Sequence, residues 1–135
     1  MHPHALWLGL AGLIPFWSLP LLRGLEWLSP ERALEAFTLY SAIILSFLGG
    51  VHWYPSVIER ARPRQTYIAM GPSILAWLSL LLLPPLWALG PLALGFIGVL
   101  LYDFRRLTPP PGYWNLRLIL TTVALLCHLW MALPG

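Results

Sequence analysis

The chain has 135 residues, 59% of them hydrophobic and 10% charged, with a net charge of +3. A soluble domain carries about 25% charged residues because its surface must face water, so this composition excludes a water-solvated globule and points to an integral membrane protein. All eight basic residues are Arg, set in short groups between apolar stretches; they form no continuous basic face, which argues against nucleic acid as a partner.

Crossing ~30 Å of hydrocarbon takes roughly 20 helical residues. The first candidate span is Ala5 to Leu22; it lacks a basic start and a small-residue cleavage site, so it reads as retained and not as a signal peptide. Inside it, Pro15 and Pro20 remove the donors to the carbonyls of Ala11 and Phe16. The segment "RGLEWLSPERALEAF" follows. Its amphipathic pattern predicts a stretch lying partly along the membrane surface, with Glu26, Glu31 and Glu35 as a solvated acidic face. Within it, Ser29 is suited to cap a helix that Pro30 opens.

The second span, Ala36 to Tyr54, carries Ala42, Ser46, Gly49, Gly50 and Trp53 within roughly 100° of one another at 3.6 residues per turn. Small residues let helices approach closely in lipid, so Ala42, Ser46, Gly49 and Gly50 are expected to dock another helix. Pro55 takes the donor from the Val51 carbonyl, making that carbonyl the expected partner of His52. The third span is Tyr67 to Leu83, and the fourth Trp87 to Tyr102, divided by Pro84-Pro85. After Pro109-Pro110-Pro111-Gly112 comes the fifth, Tyr113 to Leu133. The expectation is a single domain over residues 1–135, an all-α bundle of five transmembrane helices.

Arg60, Arg62, Arg64, Arg105, Arg106 and Arg117 flank the second–third and fourth–fifth connections, against Arg23 and Arg32 on the other side. Short-loop arginine excess marks the cytoplasmic side, so the N-terminus is predicted cytoplasmic and the C-terminus outside. Trp7, Trp53, Tyr67, Tyr102, Tyr113 and Trp114 would form the inner aromatic belt, and Trp27, Trp87 and Trp130 the outer one. Trp17 and Trp77 fall near mid-bilayer, where they are expected to face other helices.

Ionisable groups at membrane depth are costly and often functional. His52 is therefore a candidate proton relay, quinone contact or metal ligand, weighed against a structural role bonding a stray carbonyl or a neighbouring helix. Its predicted depth differs from that of His128, so the two could not share a haem iron, and His2 and His4 alone make a weak metal site. Asp103 and Arg117 are separated by a short connection and are expected to pair, either as a structural clamp or as a site for a lipid phosphate. The single cysteine, Cys127, can form no disulfide within the chain. No phosphate-cradling glycine loop, H-E-x-x-H, G-x-S-x-G or pair of deep carboxylates appears, so no catalytic residues and no metal or required cofactor are assigned.

"LGLAGLIPF", "YSAIILSFLGGVHW", "GPSILAW", "LGF" followed by Asp103, and "YWNLRLILTTV" occur in this order along nearly the whole chain. Together they resemble a bacterial inner-membrane family of unknown function, related to mitochondrial transmembrane protein sixty-nine. The chain departs from that pattern at Tyr54, where a glycine commonly follows the His-Trp pair. The resemblance implies a multi-pass protein of the bacterial inner membrane and singles out His52, Trp53, Asp103, Arg117 and Thr121. It brings no activity with it.

Two functions fit these residues. The leading one is a non-enzymatic accessory or assembly factor of a bioenergetic membrane complex, since the loops are minimal and the small-residue faces numerous. The rival is a binder or carrier of quinone, lipid or protons, using His52 and Trp53 beside the Asp103–Arg117 pair. It predicts a cavity bounded by the second, fourth and fifth spans.

Overall fold

The computed structural model describes residues 1–58 and 63–134. Arg60 and Arg62, counted above in the second–third connection, lie outside the described residues. Among those described there is no strand, and the helices are α1 (Pro3–Ala11), α2 (Ile14–Gly24), α3 (Pro30–Gly50), α4 (Trp53–Ile58), α5 (Pro63–Leu82), α6 (Pro85–Arg106) and α7 (Tyr113–Ala132). Taken with their short continuations, they supply five helices long and apolar enough to cross a membrane.

The breaks fall where the backbone chemistry requires them. α1 and α2 share one span, interrupted at Gly12-Leu13 just before Pro15. The Gly12 carbonyl exposed by this interruption accepts a 2.7 Å hydrogen bond from the Tyr40 hydroxyl. A backbone polar group in hydrocarbon must find a partner inside the protein, and here α3 supplies it. The second break lies at Val51-His52, one turn before Pro55, and separates α3 from α4. The third is the Pro84-Pro85 turn, which ends one helix and starts the next.

The Ser29 hydroxyl caps the Arg32 N–H at 3.3 Å, and α3 runs unbroken from Pro30 to Gly50, so residues 30–35 of the amphipathic segment are its first turns. Ala33 and Phe37 are fully buried, which ties this first part of α3 to the core, while Glu31 and Glu35 stay exposed. Trp17 and Trp77 do not face other helices; they are 44% and 62% exposed. The contact positions beside Trp77 belong instead to Ala76 and Ser79, because small side chains permit the close approach that an indole would block.

α3 is central. It packs against α2, α5 and α6, while α6 meets α7 and α7 closes back on α1 and α2. The α3–α5 crossing is set by Gly49, where an added Cβ would come within 2.8 Å of Pro72 Cγ and 3.1 Å of the Ala69 carbonyl. The α3–α6 crossing has Leu45 lying over Gly95. Ala42 is buried, and the Ser46 hydroxyl turns back to the Ala42 carbonyl at 2.8 Å. Gly50 is exposed, with open space where a side chain would begin, so it takes no part in this packing.

Candidate functional site

Four of the five spans send a polar side chain to one point near the α3–α5 and α6–α7 connections. The Val51-His52 turn ends α3 and leaves His52 fully buried. Its Nε2 lies 2.5 Å from Asp103 Oδ1 on α6, and the Gln65 amide of α5 donates to its Nδ1 at 3.1 Å. An N–H on Nε2 donates to the Asp103 carboxylate. Asp103 Oδ2 accepts from the Arg117 guanidinium of α7 at 2.6 Å. The Tyr102 ring closes over His52 edge-on, with centroids 4.9 Å apart.

The charges pair locally, the Asp103 carboxylate with the Arg117 guanidinium. An unpaired charge at helix centre costs ~2.5–3.5 kcal/mol on insertion scales, so the pairing is what permits Asp103 and Arg117 to be 3% exposed each. Both ring nitrogens of His52 are engaged, Nε2 with Asp103 and Nδ1 with Gln65. The expected Asp103–Arg117 pair is present. The expected His52 partner is not the Val51 carbonyl: the helix breaks at that residue and carries the imidazole to Asp103 and Gln65. Trp53 is 47% exposed and takes no part in the network. Thr121 is buried one turn beyond Arg117 on α7, where both side chains line a cavity.

That cavity, about 170 Å³, lies against Gly9, Gly12, Phe16, Ile44, Phe96 and Ala124. It is therefore bounded by the first span as well as the second, fourth and fifth. On the opposite side of the network, Gln65 borders a polar pocket with Arg106, Thr108 and Tyr113. Gln65, His52, Asp103 and Arg117 thus form an unbroken chain of polar groups between two openings.

Sequence reasoning missed two polar staples at the other end of the molecule. Ser41 Oγ donates to His128 Nε2 at 2.7 Å, and His128 Nδ1–H donates to the Ala124 carbonyl at 2.7 Å, inside a cage of Phe16, Phe37 and Phe96. By sequence, Arg23 counts as a charge flanking the first–second connection. It is buried, and its two terminal nitrogens donate to the carbonyls of Trp130 and Met131, each at 3.1 Å. A cation is favourable at a helix C-terminus, where the last carbonyls lack donors. The available signal was the lone arginine within an otherwise apolar helix end.

A helical membrane bundle fastened by buried polar staples is the class of protein that fold and site define. The chain matches the family described as protein of unknown function DUF3429 over residues 1–133, and it belongs to that family. It is 39% identical over 126 residues to transmembrane protein 69 of Xenopus tropicalis, covering 89% of this chain and 50% of that protein. It is 34% identical over 129 residues to transmembrane protein 69 of Mus musculus, covering 89% and 51% respectively. The chain therefore spans about half the length of these curated relatives. No solved structure matches it.

Proposed function

We propose that this protein is a non-enzymatic accessory or assembly factor of a bioenergetic complex in the bacterial inner membrane. The observation that carries the reading is a groove of about 440 Å³ between α5 and α6 at the bundle surface, which none of the described residues fills. Gly71 and Gly98 line it and are exposed, with nothing within 4 Å of where a Cβ would sit. Between membrane helices the attraction comes from backbone proximity and packing, which small residues permit. Gly49 and Gly95 spend that capacity inside the bundle, whereas Gly71 and Gly98 keep it on the surface. The occupant that suits such a groove is a transmembrane helix of another protein.

The test is a native gel of gently solubilised membranes carrying a tagged copy, with co-migrating proteins identified by mass spectrometry. The expected result is migration inside a large assembly, released by Gly98→Leu while the isolated protein keeps its helicity and melting temperature. Migration of the wild-type protein as a small lone species overturns the proposal.

A further inference from the structure

Arg117 is held by one nitrogen only. Its side chain is 4% exposed and one terminal nitrogen bonds Asp103, yet its buried Nε–H has no partner among the described residues. Leaving a buried donor unpaired is unfavourable, so the position calls for an acceptor. The same side chain lines two openings that share Leu8, Gly9, Phe47, Leu48 and Leu120. The deeper one is the 170 Å³ cavity reaching Thr121 and Ala124; the wider one, 560 Å³, leads away from it to His2, Pro110 and Tyr113. Together they form one groove between the first span and α3 and α7, with Arg117 at the junction.

We propose that this groove seats an acyl chain of a glycerophospholipid, whose ester carbonyl accepts the Arg117 Nε–H. Charge supports a neutral acceptor: Asp103 already balances the guanidinium, so no anion is required, and a carbonyl oxygen suffices. Depth supports an ester. Arg117 lies one turn from Tyr113, which opens α7 next to the Pro-rich connection, and interfacial aromatics mark the headgroup level. Shape supports a tail directed inward. From Arg117 to Ala124 the deeper cavity follows α7 for roughly 10 Å at 1.5 Å per residue, walled by the apolar Gly12, Phe16, Ile44 and Phe96. The wider opening leaves room for the glycerol and headgroup at the end bearing Tyr113. This site is separate from the α5–α6 groove and does not depend on the accessory role.

Delipidated protein in detergent is titrated with dioleoyl phosphatidylglycerol and bound lipid is counted by native mass spectrometry. The wild-type protein is expected to retain one lipid tightly. Gly9→Leu fills the groove from a position where an added Cβ meets only ordinary contacts, 3.4 Å or more, with Leu116 and Leu120, and it leaves Arg117 and Asp103 in place. It is expected to weaken retention at least about tenfold with helicity and melting temperature unchanged. Arg117→Lys, which can still pair with Asp103 but has no Nε–H, is expected to weaken retention as well. The proposal is overturned if the wild-type protein retains no lipid, or if a folded Gly9→Leu variant retains it undiminished. Recovery of a quinone in place of glycerolipid from the undelipidated protein also overturns it.

Discussion

Each carboxylate oxygen of Asp103 has one partner, His52 on Oδ1 and Arg117 on Oδ2, and neither partner has another anion within the network. Removing Asp103 therefore strands both. Asp103→Ala is expected to cost about 3–5 kcal/mol, the usual loss when one side of a buried ion pair is deleted. Replacing both ions by apolar residues removes the stranded charge, so Asp103→Leu combined with Arg117→Met is expected to be less destabilising than Asp103→Leu alone. Unfolding in a denaturing-detergent titration measures both. If the effects of the double variant simply add, Asp103 and Arg117 do not act as a unit. At the other staple, Ser41→Ala leaves His128 Nε2 without its donor. Interhelical hydrogen bonds in membranes are worth about 0.6–2 kcal/mol, and the same titration should find a loss in that range.

At the scale of elements, two glycines that look alike in sequence differ in what stands opposite. The Cβ of a Gly49→Ala variant would press on the Pro72 ring and the Ala69 carbonyl, both parts of a helix that cannot yield locally. At Gly95 the nearest atoms, as close as 2.6 Å, are the ends of the Leu45 and Leu75 side chains, which can change rotamer. Gly49→Ala is thus expected to lower the melting temperature more than Gly95→Ala, and Gly50→Ala to have little effect. Equal losses at Gly49 and Gly50 would show that packing against α5 does not set the α3 position. The elements themselves were legible in sequence because their boundaries are local events: Ser29-Pro30, Pro84-Pro85 and the Pro109–Gly112 turn act on their own neighbours. The Asp103–Arg117 pair was legible for the same reason, the two residues being joined by one short connection. His52 and Asp103 are 51 positions apart, and Ser41 and His128 are 87 apart. No local pattern links such residues; the α3–α6 and α3–α7 geometry does. The span order showed that His52 and His128 lie at different depths, but not which helix each ring would face.

For the whole molecule, the staples change how the arginines count toward orientation. Arg23 is buried against the α7 terminus and Arg117 against Asp103, so neither presents a free charge to the membrane surface. Among the described residues the exposed arginines are Arg64, Arg105 and Arg106 beside the α3–α5 and α6–α7 connections, and Arg32 at the opposite end. Arg32 is further offset by its exposed neighbours Glu31 and Glu35. The bias that sets topology is thus carried by solvent-facing side chains and survives removal of the two structural ones. This predicts that Arg64→Cys and Thr108→Cys react with a membrane-impermeant maleimide only after the cell is opened, while Glu31→Cys reacts on intact cells. The native Cys127 is 5% exposed and packed in the core, so it should contribute little background labelling. Labelling of Thr108→Cys from outside would invert the orientation and move the Arg117 groove to the opposite leaflet. The glycerolipid site would then be filled from the outer leaflet's lipids, and the retained species identified in native mass spectra would have to match that pool.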